Sequence, residues 1–348
     1  MISKIIDENL IQAAKRKILD AENIVIAGHK GPDGDAMGST LALCNFLHKI
    51  GKKATVVIPN VCPAFLKWLP GFKEVIVFKD NRHNAINAIK AADLLLTLDL
   101  NEYQRMGDDM ASFMRQSKAV KVMIDHHLNP ELFADVTISY PSMASTSEMI
   151  FRLICRMGYF DVLDKEIAEC IYTGMMTDTG NFSFNSNNSE MYVIVSELIK
   201  KGINKDEIYN RVFNQYSVDR FRMMGYVLTK MEVIDELGVA IIPMSRAELN
   251  QYNYHKGDTE GFVNMPLSIK GICMSAFFKE EDGLIKVSLR SQGEVSVKEI
   301  SQGVFGGGGH KNAAGAEAKG KTLDEAVEML RSALPKYSAM LLEEVAKQ

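Results

Sequence analysis

Asn23-Ile24-Val25-Ile26-Ala27-Gly28-His29-Lys30-Gly31-Pro32-Asp33-Gly34-Asp35-Ala36-Met37-Gly38-Ser39 is the stretch that decides the fold. Its first five residues form a short apolar, β-branched run, and a helical pattern opens after the Gly- and Pro-containing turn. The alternation recurs, with strand-like runs at 54–58, 74–78, 93–98, 120–124 and 136–140 separated by helical patterns. Runs such as Val120-Lys121-Val122-Met123-Ile124 are apolar almost throughout, as expected of strands covered by helices on both faces. The predicted class is therefore α/β, with an N-terminal doubly wound, mostly parallel sheet whose ligands collect beyond the carboxyl ends of its strands.

Beyond the sixth run, helical patterns dominate, at 147–157, 165–177, 188–201 and 219–233. Ser145 and Glu148 have the S-x-x-E spacing of a capping box at the start of the first of these. A second α/β pattern follows, with strand-like runs at 239–243, 272–278 and 285–289, a glycine cluster at 306–309 and one last helix over 323–345. We read a catalytic domain over 1–186, a helical linker over 187–220 and a smaller C-terminal α/β domain over 221–348. A chain of 348 residues suits two domains of about 150 residues each.

Lys and Arg number 40 against 44 Asp and Glu, a net charge of −4, so the chain lacks the basic excess of a general binder of long duplexes. An anionic substrate must be held by local charge, such as bound metal. The five cysteines are scattered and form no C-x-x-C pair, which fits a reducing cytoplasm and argues against a zinc clasp. No run nears the roughly 18 apolar residues of a membrane span, and no signal peptide is expected.

The turn after the first run lies where such a sheet gathers its ligands. His29, Asp33 and Asp35 bring one imidazole and two carboxylates together within seven residues, and Gly31, Pro32 and Gly34 permit the turns that aim them at one centre. Alone, Asp33-Gly34-Asp35 reads as a solvated turn with a helix cap. Three further clusters change that reading. Thr97-Leu98-Asp99 ends one strand run and Asp125-His126-His127 ends another, both at the same sheet edge. Thr177-Asp178-Thr179-Gly180 ends a helical pattern, where a carboxylate opposes the helix dipole. Desolvating so many charges without a cation is costly. His29, Asp33, Asp35, Asp99, His126 and Asp178 suffice for two ions sharing a carboxylate, and this donor set suits Mn²⁺ or Mg²⁺. Paired ions about 3.5–4 Å apart activate water and clamp phosphoryl oxygens, so the predicted chemistry is phosphoester or phosphoanhydride hydrolysis. His48, His83 and His255 are read as non-ligands. Four successive glycines, Gly306 to Gly309, let backbone amides form an anion nest beside His310 and Arg290.

The sequence resembles the DHH phosphoesterase superfamily, named for the triplet that stands here as Asp125-His126-His127. Gly306-Gly307-Gly308-Gly309-His310-Lys311-Asn312-Ala313-Ala314-Gly315, with Ser288-Leu289-Arg290-Ser291 before it, is similar to the DHH-associated C-terminal domain. The likeness spans nearly the whole chain. It implies that His29, Asp33 and Asp99 hold one Mn²⁺ and that Asp35, Asp99, His126 and Asp178 hold the other, with Asp99 as a catalytic bridge and Mg²⁺ an alternative. It also implies that His127 is catalytic and faces the substrate phosphate, with Asp125 read as orienting a neighbouring histidine. Arg290, Ser291, Gly308, Gly309 and His310 are expected to bind substrate.

Family II inorganic pyrophosphatases share the N-terminal motifs but have a different C-terminal domain, and RecJ-type exonucleases are usually longer and add a nucleic-acid-binding fold. Membrane-tethered cyclic-di-AMP phosphodiesterases add transmembrane and sensory segments. The resemblance thus points to the stand-alone, two-domain NrnA-like branch. It implies hydrolysis of very short single-stranded RNA and of 3′-phosphoadenosine 5′-phosphate (pAp), in the cytoplasm, without long duplexes or membranes as partners; a homodimer is left open. The alternatives are a cyclic-di-AMP or linear pApA phosphodiesterase and, further off, an inorganic pyrophosphatase or a non-catalytic nucleotide sensor.

Overall fold

The computed structural model of the protein describes residues 4–347. The chain divides into two compact units, Met1–Gln215 and Tyr216–Gln348. The first unit begins with α1 (Glu8–Asp20), β1 (Asn23–Ala27), α2 (Gly34–Lys49), β2 (Lys53–Ile58), β3 (Ile76–Val77), α3 (Arg82–Ala91) and β4 (Leu94–Leu98). It continues through α4 (Asp108–Gln116), β5 (Val120–Asp125), β6 (Val136–Ser139), α5 (Thr146–Arg156), α6 (Lys165–Asp178), α7 (Ser189–Lys200) and α8 (Lys205–Phe213).

The six strands pair in the order β3-β2-β1-β4-β5-β6, all parallel. From β1 the chain winds one way to β2 and β3, then returns to lay β4 on the other side of β1. The strand order therefore reverses between β1 and β4, and a crevice opens beyond their carboxyl ends. β1 shows why its sequence lacks a polar alternation. Ile24 and Ile26 belong to the apolar cluster with Leu41, Phe46, Ile150 and Ile171, while Val25 and Ala27 join Leu95, Met106 and Met110 in the other.

Two helices meet closely on the first of these faces. A Cβ at Gly38 of α2 would stand 2.6 Å from the Cys170 carbonyl oxygen of α6, so the backbones touch where the side chain is missing. α7 and α8 bury Met191, Ile194, Leu198, Ile208 and Val212 in the same cluster. The helical segment expected as a linker thus places its apolar residues on the first unit.

The capping box expected at α5 is half formed. Ser145 accepts from the Glu148 amide at 3.1 Å, but the Glu148 carboxylate turns away to Arg152, whose Nε donates to it at 2.9 Å. Arg152 also pairs with Glu190 on α7 at 3.0 Å. A buried guanidinium left unpaired is costly, and Glu148 and Glu190 supply its partners.

The second unit contains α9 (Val218–Lys230), β7 (Glu232–Ile234), β8 (Val239–Met244), α10 (Arg246–Gln251), β9 (Met274–Glu281), β10 (Leu284–Ser291) and α11 (Val297–Phe305). β11 (Gly308–His310), β12 (Ala313–Lys319), α12 (Leu323–Ala333) and α13 (Ser338–Val345) complete it. The sheet order is β11-β12-β10-β9-β8-β7, and only β8 and β9 run parallel. The expected single last helix is broken by a 3₁₀ turn over Leu334–Tyr337 that contains Pro335, whose ring and missing amide interrupt an α-helix. The glycine run is divided, with Gly306 closing α11 in a left-handed conformation. Gly308 and Gly309 lie in the edge strand β11, opposite Gly315 and Ala314 of β12.

Candidate metal centre

Four segments converge at the carboxyl edge of the first sheet. The β1–α2 turn and the start of α2 carry His29, Asp33 and Asp35, Asp99 follows β4, β5 ends at Asp125 with His126 and His127 just beyond it, and α6 ends at Asp178. His29 Nε2 lies 3.3 Å from Asp99 Oδ2 and 3.6 Å from Asp33 Oδ2. His126 Nε2 lies 3.4 Å from Asp99 Oδ1, 3.4 Å from Asp178 Oδ2 and 3.9 Å from Asp35 Oδ2. The two Asp99 oxygens therefore face different imidazoles. Three donor groupings result: His29, Asp33 and Asp99; Asp35, His126 and Asp178; and Asp99, His126 and His127.

Local structure accounts for each placement. Asp33 caps α2, its Oδ1 accepting from the amides of Asp35 and Ala36 at 3.1 and 3.0 Å, while Oδ2 reaches toward His29. The helix-cap role and the ligand role thus fall on different oxygens of one carboxylate. Asp35 accepts from the Thr146 and Ser147 amides at 2.6 and 2.8 Å, anchoring the first turn of α5 across the site. Gly174 makes room for this, since a Cβ there would stand 2.8 Å from Asp35 Oδ1. Asp99 has a φ of 56°, a left-handed conformation that side-chain-bearing residues rarely adopt. It is held there by Thr146 Oγ1, which donates to Asp99 Oδ1 at 3.2 Å, and by Arg105 Nη1, which donates to the Asp99 carbonyl at 3.3 Å. Sequence reading missed Thr146 and Arg105. Thr146 stands inside the expected cap motif, and Arg105 follows no pattern that sets it apart from a surface arginine.

The electrostatics show what the cluster lacks. Burial opposes charge on His29, yet Asp33 and Asp99 outweigh it and push the imidazole up to about 10. His126 is also pushed up to about 10, its burial outweighed by Asp99, Asp35 and Asp178. Burial and the neighbouring carboxylates Asp99 and Asp178 raise Asp35 well above the usual range. Asp178 is pushed up to about 7 by burial, with His126 acting against the rise and Asp99 adding to it. Asp99 goes the other way, because His126 and His29 overcome its burial. Positive charge is thus in demand at this spot.

The histidine geometry fits a cation. His29 Nδ1 is 3.1 Å from the Lys30 carbonyl and His126 Nδ1 is 3.3 Å from the Met143 carbonyl, so each Nδ1–H donates and each Nε2 is the atom turned to the carboxylates, free to offer a lone pair once a cation displaces its proton. Both Nε2 atoms are buried without a hydrogen-bond partner. Two orphaned imidazole nitrogens among four carboxylates are the donor set of a divalent cation site. His127 is placed differently. Asp125, fully buried, accepts from the His127 amide at 2.7 Å and from His127 Nδ1 at 2.9 Å, which fixes the ring. His48, His83 and His255 lie elsewhere, against the Ala54 carbonyl, Asn87 and Asp258.

In the second unit, register decides which residues share a face. Arg290 is opposite Ala313, which is opposite His310, and Ser288, Gly315 and Gly308 align two residues away. Directly opposed residues point to the same side, so Arg290 and His310 flank Ala313, with Gly315 and Gly308 in the next rung of that face. Gly309 has a φ of 141°, and a Cβ there would stand 2.5 Å from the Ala313 carbonyl. Ser291, expected to bind substrate, points to the opposite face by strand alternation. It is buried, donating its hydroxyl to the Val295 carbonyl at 2.7 Å and accepting from Asn312 at 3.0 Å. Its place is in the framework that supports the glycine strand. Two glycines of the expected nest, Gly308 and Gly309, lie in the edge strand β11, whose outward row of backbone groups stands away from β12.

A doubly wound sheet whose switch point carries this His/Asp cluster defines a metal-dependent phosphoesterase. Comparison with known families gives the particular kind. Residues 23–175 match the DHH family, N-terminal domain, and residues 236–336 match the DHHA1 domain. The chain belongs to the DHH family of phosphoesterases, with a DHHA1 domain. It is 34% identical over 313 residues to the bifunctional oligoribonuclease and PAP phosphatase NrnA of Thermus thermophilus, covering 89% of each chain. A crystal structure of an exopolyphosphatase-related protein from Bacteroides fragilis is 48% identical, with a TM-score of 0.96 over 98% of this chain and 99% of that one. The exonuclease RecJ bound to manganese shares the fold at 13% identity, with a TM-score of 0.52 over 96% of this chain and 95% of that one. Among the described residues, no helix is long and apolar enough to cross a membrane.

Proposed function

We propose that the protein hydrolyses very short single-stranded RNA and pAp at a centre of two Mn²⁺ ions. The observation that carries this reading is the pair of orphaned Nε2 atoms on His29 and His126, each facing a different oxygen of Asp99. His29, Asp33 and Asp99 would hold one ion, and Asp35, Asp99, His126 and Asp178 the other. When bound, such ions supply Lewis-acid stabilisation of phosphoryl oxygens and activation of the attacking water. The likeness to the Thermus thermophilus NrnA supports nucleotides as the substrate class.

The chain's own residues divide the remaining work. Asp125 accepts the Nδ1 proton of His127, so Nε2 is the nitrogen that exchanges a proton with the leaving oxygen. Arg105 and Thr146 keep Asp99 in its left-handed conformation, which turns its two oxygens toward two histidines. In the second unit, Arg290, Gly308, Gly309 and His310 would bind substrate, with the glycines admitting it close to the backbone.

Release of product from pAp, an RNA dinucleotide, cyclic-di-AMP, linear pApA, pyrophosphate and polyphosphate, compared with Mn²⁺ and with chelator, tests this reading. Fast, chelator-sensitive hydrolysis of pAp and the RNA dinucleotide is expected. Preference for a cyclic or linear adenylate dinucleotide, or for an inorganic chain, would replace the substrate assignment.

A further inference from the structure

The chain that leaves Asp178 has an unusual backbone. Gly180, Asn181, Phe182 and Asn185 all have positive φ, at 53°, 57°, 61° and 49°. Glycine adopts this region freely and asparagine tolerates it, but for phenylalanine it is strained. Such strain persists only where the surroundings enforce it. Here Thr179 does so. Its hydroxyl accepts from the Phe182 amide at 3.0 Å, and its carbonyl accepts from the Ser183 and Phe184 amides at 2.9 and 3.2 Å.

The two phenylalanines of this loop part company. The Phe182 ring packs inward, its centroid 5.8 Å from that of Tyr172 and 6.2 Å from that of Tyr192. Phe184 remains 56% exposed. Its ring lies across Gly180 so closely that any side chain at that glycine would collide with it. The loop therefore combines a strained anchor, a glycine at positive φ and a large aromatic left in water. Its amide bonds to the residue after Asp178, which by chain geometry keeps it within about 9 Å of the Asp178 α-carbon.

We propose that Phe184 is a stacking platform for a nucleobase of the substrate whose phosphate lies at the Asp178 end of the centre. This rests on the nucleotide reading above and deepens it by naming the group that receives the base. A phenyl face stacks on every base, so it selects nucleotides over base-free phosphates while remaining indifferent to RNA sequence. The metal centre alone cannot make that distinction, because it touches only phosphate.

The test uses the Mn²⁺-loaded full chain with 2-aminopurine riboside 3′,5′-bisphosphate, whose fluorescence falls when its base stacks, followed by stopped flow within the first turnover. The second readout is the ratio of kcat/KM for pAp to that for ribose 3,5-bisphosphate, the same substrate without its base. We expect quenching by the wild type, loss of quenching in Phe184→Leu, a ratio lowered about 5-fold or more, and both properties retained in Phe184→Tyr. Should Phe184→Leu bind less Mn²⁺ than the wild type, Phe184→Met makes the same comparison. Binding without quenching in the wild type, or an unchanged ratio in a metal-replete non-aromatic variant, overturns the proposal. A wild type that turns over no nucleotide overturns the functional reading and this inference with it.

Discussion

His29 and His126 each give one ring nitrogen to a backbone carbonyl and turn the other toward carboxylates, and this arrangement sets how the centre responds to pH. Both imidazoles are pushed up to about 10 without metal, so a cation reaching either Nε2 displaces a proton. Apparent Mn²⁺ affinity should accordingly rise with pH between about 6 and 9, with protons released on binding. Calorimetric titration in buffers of different ionisation enthalpy measures both, and a pH-independent affinity would contradict the assignment. Asp125 has a separate task, since its carboxylate holds the His127 amide and ring and touches none of His29, Asp33, Asp35, Asp99, His126 and Asp178 in the contacts described above. Asp125→Asn should lower kcat by about 10–100-fold while Mn²⁺ content stays at the wild-type level. Loss of metal in that variant would place Asp125 in the metal shell instead.

The α2–α6 contact belongs to the element scale, because it carries two of the acidic segments to one place. Gly38→Ala pushes a methyl group against the Cys170 carbonyl, a backbone atom that cannot rotate away. Overpacking of this kind should cost about 1–3 kcal/mol, read by denaturant titration. An unchanged midpoint would show that the helices separate without penalty. The parallel strands were legible in the sequence because burial on both faces makes them apolar throughout, and their spacing by helices fixes the winding. Less legible were β7, β11 and β12, which are short or rich in Gly and Ala and carry little β propensity. The Ser145–Glu148 spacing promised a reciprocal cap, but Arg152, four residues further along the same helix, takes the carboxylate instead. The candidate ligands stood out because they gather in the turn after β1, just beyond β4 and β5, and at the end of α6. The residues that position Asp99 did not, since a threonine hydroxyl and a guanidinium reach it only through tertiary contact.

At the scale of the whole molecule, each of the two α/β units gathers its candidate site residues on one sheet. The first gathers its acidic groups at the switch point of a parallel sheet, and the second aligns Arg290 with His310 through antiparallel register. A net charge of −4 leaves substrate attraction to these local features. Ser291 shows what pattern reading loses at this scale: it neighbours Arg290 in sequence, yet strand alternation turns it into the core. The central claim is that Asp99 joins two cation sites, and Mn²⁺ stoichiometry by equilibrium dialysis on the wild type and Asp99→Ala tests it most directly. The account predicts two ions per wild-type chain and weakened binding at both sites in the variant. Two ions bound with unaltered affinity by Asp99→Ala, or a wild type that binds only one, would contradict it.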